Sequence, residues 1–172
     1  MARIVLVHAA DPGPVGYAAQ VAAASGPDRG LVLTAIEFHR EKVSGGRIEE
    51  ERDYAGTTFS AFDEPIYIGS AIAQLAGHAE SVLMDGLEDW AGRLLRRFPD
   101  DPIALDAEIS SLTSVMQARM SDLVLVARPD SPREPEVAEL LRRVLAAVEP
   151  RCDAVVDLRG GPPRATKGSL PH

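Results

Sequence analysis

The chain has one cysteine, Cys152, in 172 residues. A lone thiol excludes an internal disulfide framework and is typical of a protein in the reducing cytoplasm. Apolar runs of membrane-spanning length are missing, and the opening Met1-Ala2-Arg3 leads directly into a strand-like run, so we expect neither a membrane span nor a signal peptide. Basic residues are in deficit, with 18 against 26 acidic ones. The resulting net charge of −8 argues against nucleic acid or an anionic membrane as the partner.

The sequence also lacks three patterns that mark catalytic or metal sites. It has no cluster of His, Cys, Asp or Glu at metal-ligand spacing, no Gly-x-Ser-x-Gly elbow and no second cysteine. It contains 45% hydrophobic residues, an ordinary value for a globular protein, and its length suits one hydrophobic core. We expect a single α/β domain over residues 1–159 and a flexible, poorly packed Pro/Gly-rich tail over residues 160–172.

Short apolar runs alternate with helical patterns along the domain. Buried strands are predicted at residues 4–7, 31–34, 81–84, 123–126 and 154–158, and an edge strand at residues 57–62. Apolar residues at helical spacing predict helices around Ile68, Leu87, Leu105 and Val137. This alternation predicts a mainly parallel α/β sheet of about five or more strands, flanked by helices, with right-handed crossovers and residues 3–7 at its centre. The charged residues 37–53 are predicted to form a loop or paired short helices outside the sheet.

The chain opens on a strand-like run, a Gly/Pro turn and an Ala-rich helical pattern, in the sequence RIVLVHAADPGPVGYAAQ. This is the layout of a P-loop, which needs Gly-x-x-x-x-Gly-Lys-Ser/Thr so that amides and a lysine hold phosphates and a hydroxyl holds Mg²⁺. Here Val15 and Gly16 stand where the lysine and the hydroxyl belong, and Pro14 removes an amide donor. We therefore predict a helix that starts near Val15 and a loop that does not enclose a triphosphate.

Ligands of a parallel α/β sheet bind at the carboxyl ends of its strands, and this sequence has three polar residues there: His8, Asp85 and Arg128. Asp85 closes the run SVLMD, which is similar to a Walker B strand whose acid helps to hold Mg²⁺. The alternative is that Asp85 caps the helix that begins near Leu87, since Asp is a favoured N-cap residue. For His8 the alternative is a hydrogen-bonded histidine at a strand end.

Four further segments, taken in order, are similar to those of one known family. Residues 47–52 (RIEEER) resemble its Arg-Ile-x-x-His-Arg segment, and residues 59–65 (FSAFDEP) resemble its Trp-Arg-Thr-x-Glu-Glu-Pro segment. Residues 82–95 (VLMDGLEDWAGRLL) resemble its Val-Leu-x-Asp-Cys-Leu-Thr-x-Trp stretch, and residues 123–143 resemble the strand, Asn-Glu-Val-Gly loop and Pro-Glu-opened helix that follow. With its P-loop-like start, the chain resembles over nearly its whole length the bifunctional adenosylcobinamide kinase/adenosylcobinamide-phosphate guanylyltransferase family of cobalamin biosynthesis.

The resemblance implies a P-loop-NTPase-like fold, ATP or GTP with Mg²⁺ as cofactors if nucleotide binding is retained, and a homo-oligomer, which in that family is a trimer. With the residues at the strand ends, the candidate nucleotide-binding positions are His8, Gly13, Gly16, Asp85 and Arg128, with Asp85 also as the Mg²⁺ ligand. The family carries its guanylyl group on a histidine, and Glu51 stands at that position here. Because the phosphoramidate intermediate needs an imidazole nitrogen, a carboxylate does not replace it. His39, twenty residues before Phe59, is the alternative nucleophile.

The departures from the family pattern lead to three hypotheses. The Asn-Glu-Val-Gly loop is replaced by residues 127–130 (ARPD), so three ligand-contacting segments differ together. This favours a non-catalytic paralogue that binds a partner protein, a corrinoid or a nucleotide without turnover. The alternative is an active nucleotide-dependent kinase/guanylyltransferase that holds phosphates with Arg40, Lys42 or Arg128 and Mg²⁺ with Asp85, although these basic residues also suit a solvated charged surface. The third is an unrelated α/β domain with the same order of segments.

Overall fold

The structure is a computed structural model, which describes residues 2–10, 16–24, 33–36, 50–54, 57–62, 64–75 and 81–171. The strands are β1 (Ile4–His8), β2 (Leu33–Ile36), β3 (Glu50–Tyr54), β4 (Thr57–Phe62), β5 (Ser81–Asp85), β6 (Asp122–Ala127), β7 (Ala154–Asp157) and β8 (Arg164–Lys167). The helices are α1 (Gly16–Ala23), α2 (Ile68–Leu75), α3 (Leu87–Arg97), α4 (Pro102–Ala118) and α5 (Pro135–Val148), followed by a short 3₁₀ helix at Glu149–Arg151. None of the described helices is long and apolar enough to span a membrane.

All eight described strands form one sheet, in the order β3-β4-β2-β5-β6-β1-β7-β8. The six strands from β4 to β7 are parallel, and only the outer strands β3 and β8 pair antiparallel with their neighbours. Strand β1 lies inside the sheet between β6 and β7. These pairings confirm the predicted α/β class, with a mostly parallel sheet flanked by helices in a single domain. They do not by themselves identify a P-loop NTPase.

Helices cover both faces of the sheet, and β1 shows how the sequence achieves this. Its side chains alternate, so that Ile4 and Leu6 pack in the cluster with α2 to α5, whereas Val5 and Val7 pack against α1. All four are at most 1% exposed. A parallel strand buried on both faces has a continuous apolar run rather than an alternating one, because neither face meets water. The apolar run at the start of the chain therefore predicted β1 correctly.

The two outer strands are the part of the sheet that the sequence did not predict. Residues 50–53 were expected outside the sheet, but they belong to β3, which makes β4 the second strand rather than an edge. Residues 164–167 of the predicted tail form β8, which pairs with β7. An edge strand needs only one hydrogen-bonded neighbour and keeps one side in water, so charged sequences such as EERDY can form it without an apolar pattern. Strand β2 is described over Leu33–Ile36, and residues 31 and 32 of the predicted strand lie outside the described residues.

Helix α3 is held in place by Trp90, the only tryptophan in the chain. Its side chain is fully buried, and its Nε1 donates a hydrogen bond to the carbonyl oxygen of Ile66 at 2.8 Å. Just before Ile66, the buried Glu64 accepts hydrogen bonds from the N–H groups of Ile66 and Tyr67 at 3.1 and 2.8 Å. These contacts fix α3 against the turn that precedes α2, so the polar residues on the first turns of α3 have a defined position.

Candidate functional site

The connections of the sheet define a crevice between β1 and β6. These neighbouring strands are parallel, with His8 in register with Ala127, and the N–H of Ala9 donates to the Ala127 carbonyl at 2.8 Å. The chain then leaves β1 toward β2 by way of α1 on one face, and leaves β6 toward β7 by way of α5 on the other. Because the two connections run in opposite directions over opposite faces of the sheet, both are crossovers of the same handedness. Such a pair of connections leaves a crevice at the carboxyl ends of the two strands, and this is where ligands of parallel α/β sheets bind.

Three side chains beside this crevice form one ion-pair cluster, which we call the Arg128 cluster: Asp85, Glu88 and Arg128. The Nη1 of Arg128 donates to Asp85 Oδ1 at 2.7 Å and to Glu88 Oε1 at 3.1 Å. The backbone N–H of Arg128 donates to the second oxygen of Glu88 at 2.9 Å. The side chains of Asp85, Glu88 and Arg128 are 22%, 5% and 13% exposed. Two carboxylates are thus drawn together at the edge of the sheet by one guanidinium group.

Burial and hydrogen bonding act in opposite directions on the pKa values in the cluster. Burial lowers the pKa of Arg128, but hydrogen bonds and charge from Asp85 and then Glu88 outweigh it, so this pKa lies above its usual value. Burial raises the pKa of Glu88, and the hydrogen bonds from Arg128 offset only part of that rise. Arg128 therefore stays cationic, and the buried Glu88 depends on it as the source of positive charge.

The turn from β5 into α3 explains why Asp85 faces Arg128. Gly86 is the N-cap of α3 and adopts the left-handed conformation, with φ of 99°, which a residue with a side chain rarely adopts. No side-chain hydrogen bond caps this helix. The interpretation of Asp85 as the N-cap residue is therefore wrong, because Asp85 ends β5 and its carboxylate bonds to Arg128 instead. Glu88 then follows on the first turn of α3, where its side chain reaches the same guanidinium group.

His8 ends β1 on the other side of the crevice, and its side chain is only 12% exposed. Its Nε2 lies 3.3 Å from Glu149 Oε1 but has no hydrogen-bond partner among the described residues. Burial lowers the pKa of His8; Glu149 opposes this shift, Arg159 adds to it, and Asp157 and Asp130 oppose it. A histidine with a lowered pKa is neutral at pH 7, so His8 is a mostly buried, uncharged imidazole at the end of β1.

Arg159 links the two acidic residues near His8. Its Nη2 lies 2.8 Å from Asp157 Oδ2, and its Nη1 lies 3.4 Å from Asp130 Oδ2. The hydrogen bonds from Arg159 hold the pKa of Asp157 at about 2. The loop after β6 and the end of β7 are thereby connected across the carboxyl edge of the sheet.

The lowered pKa of His8 predicts a specific pH dependence of stability. As the pH falls below 6.5, the ordinary pKa of histidine, the unfolded chain takes up a proton before the folded protein does. The stability contributed by neutral His8 is therefore complete above pH 6.5 and is lost as the pH falls toward the folded-state pKa. We expect the substitution His8→Gln to flatten the pH dependence of the unfolding free energy between about pH 7.5 and pH 5, measured by urea denaturation. Equal slopes in the two proteins would contradict this assignment.

The structure brings some of the predicted site residues together and separates others. His8, Asp85 and Arg128 lie at the same edge of the sheet, and Gly16 begins α1. Glu51 lies on the outer strand β3, opposite Ser60 of β4. Three strand spacings separate β3 from β5, a distance of about 14 Å. Gly13, His39, Arg40 and Lys42 lie outside the described residues.

Sequence reasoning missed Glu88 and the residues around His8. The helix that contains Glu88 was predicted from its apolar residues alone, and its acidic residues were not considered. An acidic residue on the first turn of a helix that follows a strand lies close to the carboxyl end of that strand, and this position could have identified Glu88. In the part of the chain that the structure describes, no group of three or more His, Cys, Asp and Glu side chains could hold a metal ion. Asp85 could coordinate Mg²⁺ freely only if Arg128 moved away from it.

The protein thus has an α/β fold with a mostly parallel sheet, and the topology of this sheet places a crevice between β1 and β6. No family model matches the chain, and no curated protein is significantly similar to it in sequence. Membership of the adenosylcobinamide kinase/guanylyltransferase family therefore stays a prediction that rests on the order of segments described above.

Proposed function

We propose that this protein is a non-catalytic, divergent relative of the adenosylcobinamide kinase/guanylyltransferase family that binds a ligand or a partner protein without phosphoryl or guanylyl transfer. The observation that carries the proposal is the 2.7 Å bond between Arg128 and Asp85. In an active P-loop enzyme, the acid at the position of Asp85 helps to hold the Mg²⁺ of the nucleotide. Here its carboxylate already has a cationic partner.

The energetics of the Arg128 cluster oppose Mg²⁺ binding at Asp85. A divalent ion at Asp85 would repel the Arg128 guanidinium at close range, in surroundings that are mostly excluded from water. Moving Arg128 away would leave the 5%-exposed carboxylate of Glu88 without its counter-charge. Breaking a buried ion pair in this way costs several kcal/mol, roughly 3–5. The free energy of Mg²⁺ binding at Asp85 would therefore be reduced by this amount.

The first loop and the position of Glu51 support the same proposal. A charge-assisted hydrogen bond to phosphate is worth about 1.5–3 kcal/mol, and the sequence lacks the P-loop lysine, the hydroxyl and, at Pro14, an amide donor. Glu51 supplies a carboxylate where guanylyl transfer needs an imidazole. Its strand lies at the outer edge of the sheet, away from the crevice. Together these features favour binding over catalysis.

Nucleotide binding tests the proposal directly. We expect isothermal titration calorimetry with ATP and GTP, each with Mg²⁺, to show no binding in the nanomolar-to-micromolar range. The double substitution Val15→Lys and Gly16→Ser is expected not to restore binding, because Pro14 and the Asp85–Arg128 pair remain.

Analytical ultracentrifugation of the unmodified protein would test the homo-oligomer that the family resemblance implies.

Covalent labelling distinguishes the proposal from the active-enzyme alternative. We expect radiolabelled GTP to leave no acid-labile label on the protein and cobinamide phosphate to remain unconverted. A label that disappears in the substitution His39→Ala would instead identify His39 as the nucleophile. That result, or micromolar binding of Mg²⁺-nucleotide that depends on Asp85, would support an active kinase/guanylyltransferase with atypical ligands.

A further inference from the structure

A cleft of about 330 Å³ opens between α3 and the segment that joins β6 to α5. It is separate from the crevice between β1 and β6, although Glu88 contributes to its wall. The residues that matter for its chemistry are Arg93 and Arg96 of α3, Arg133 and Glu134 of the joining segment, and Gly92 and Val137. Its volume lies at the small end of the range of about 300–1,000 Å³ for ligand pockets.

Three arginines from two different segments line this cleft. Arg93 and Arg96 are three residues apart on α3, a spacing that places their side chains on the same face of the helix. Arg133 reaches the cleft from the opposite wall, just before α5. Such a concentration is notable in a chain with 18 basic and 26 acidic residues. Guanidinium groups are the side chains best suited to bind phosphate, because their parallel N–H groups match two phosphate oxygens.

Gly92 lies in the wall of the cleft, next to Arg96 and Val137. A methyl group at this position would lie 3.4 Å from Nη1 of Arg96 and 3.9 Å from Val137. The guanidinium of Arg96 therefore lies over Gly92, on the side of α3 that faces α5. A ligand between the two helices would meet this guanidinium rather than the outward surface of α3.

The first turn of α5 contributes independently to the same cleft. Its N-cap residue, Glu134, makes no side-chain cap hydrogen bond, and Pro135 follows in the first turn. The first N–H bonded to a carbonyl of the same turn is that of Ala138, which donates to Glu134 at 3.0 Å. The N–H groups that precede it point out of the helix end, and Glu134 and Val137 of this turn line the cleft. A helix end of this kind favours an anion.

Three carboxylates line the cleft together with the three arginines: Glu88, Asp89 and Glu134. Glu88 is bonded to Arg128 through both of its oxygens. Asp89 and Glu134 are exposed, and so are Arg96 and Arg133, so solvent screens charges of both signs in the cleft. Besides Glu88, the cleft is thus lined by three arginines and two carboxylates, an excess of one positive charge.

We infer that this cleft binds a small molecule that bears a phosphate group, with the phosphoryl oxygens held by Arg93, Arg96, Arg133 and the first turn of α5. The remaining volume suits a ligand of the size of a sugar phosphate. This inference goes beyond the proposed function, because the cleft lies outside the crevice and its binding does not depend on whether Asp85 holds a metal ion.

Titration of the full chain with ribose 5-phosphate, with ribose as the uncharged control, tests the inference. We expect calorimetry to detect binding of ribose 5-phosphate and not of ribose, with inorganic phosphate as a competitor. The variants Arg96→Gln and Arg133→Gln should each weaken binding by about tenfold or more, since each removes a charge-assisted contact. Arg142→Gln is the matched control, because Arg142 is a 71%-exposed residue of α5 that pairs with Glu139 and lies outside the cleft. The affinity of Arg142→Gln for ribose 5-phosphate should equal that of the unmodified protein.

Two outcomes would overturn the inference. One is the absence of ribose 5-phosphate binding at millimolar concentration, and the other is unchanged affinity in both cleft variants. These results are distinguishable from failure of the proposed function. Binding of Mg²⁺-ATP that is lost in Asp85→Asn but retained in Arg96→Gln would contradict the proposed function alone.

Discussion

Replacing Arg128 by methionine is expected to destabilise the protein by about 3–5 kcal/mol, the usual cost of leaving a buried charge without its partner. Arg128 donates to Asp85 and Glu88 and is 13% exposed, while the Glu88 side chain is 5% exposed. Methionine keeps much of the length of the side chain but offers no positive charge. Urea denaturation followed by the fluorescence of Trp90, the only tryptophan and a fully buried one, would measure the loss.

The triple variant Arg128→Met, Asp85→Asn and Glu88→Gln is the control for this prediction. It removes all three charges together, and the glutamine oxygen can still accept the backbone N–H that Arg128 gives to Glu88. We expect the triple variant to recover most of the lost stability, because replacing all the charges of a buried ion-pair cluster together costs little unfolding free energy. A triple variant as unstable as Arg128→Met would show that the side chain acts through packing rather than charge.

The Arg128→Met variant should also respond to pH with a definite sign. Burial already raises the pKa of Glu88 above its ordinary value of 4.5, and the substitution removes the side-chain hydrogen bond and the charge of Arg128, two of the causes that oppose this rise, while the backbone hydrogen bonds remain. A folded-state pKa above the unfolded value means that the folded protein binds the proton more tightly as the pH falls. The stability gap between the variant and the unmodified protein should therefore narrow on acidification toward pH 4.5, and widen as the pH rises through the folded-state pKa.

The second large effect is expected from Gly69→Ala, which should destabilise the protein by about 3 kcal/mol through overpacking. Gly69 lies in the first turn of α2, where this helix crosses α4. A methyl group there would lie 2.7 Å from the carbonyl carbon of Ser111 and 2.8 Å from the backbone nitrogen of Leu112. Both atoms belong to the backbone of α4, so a change of rotamer cannot relieve the clash and the helices must move apart.

Gly92→Ala provides the matched comparison within another helix. Its methyl group would be 3.4 Å from the mobile end of Arg96 and 3.9 Å from Val137, which are tolerable contacts. Alanine is favoured over glycine inside a helix by about 1 kcal/mol, so we expect this variant to be as stable as the unmodified protein or more stable. Thermal unfolding of the two variants should therefore give shifts of opposite sign or of very different size. Equal destabilisation would contradict the close approach of α2 and α4.

The buried strands and the class of fold could be predicted from the sequence because they depend on local pattern. The apolar runs of β1, β5, β6 and β7 mark strands buried on both faces, and such runs alternating with helical patterns predict a parallel sheet. Predicting these strands also located their carboxyl ends. Because parallel strands have their carboxyl ends at the same edge of the sheet, His8, Asp85 and Arg128 were expected to lie there together.

The partners of those residues were decided by tertiary structure. Asp85 and Arg128 are 43 residues apart in sequence, and only the parallel pairing of β5 with β6 brings the carboxylate to the guanidinium. The sequence alone left two roles for Asp85, to cap a helix or to hold Mg²⁺, and did not indicate its pairing with Arg128.

The edge strands and the arginine-lined cleft also depended on the assembled fold. Strand β3 is rich in charged residues and strand β8 is mostly exposed, so neither has an apolar pattern, and pairing with a neighbouring strand gives each its structure. Arg93 and Arg133 come from segments 40 residues apart, which meet because α3 packs against α5. Periodicity along the chain therefore determined what is buried in this protein, whereas the meeting of distant segments determined which charges lie together.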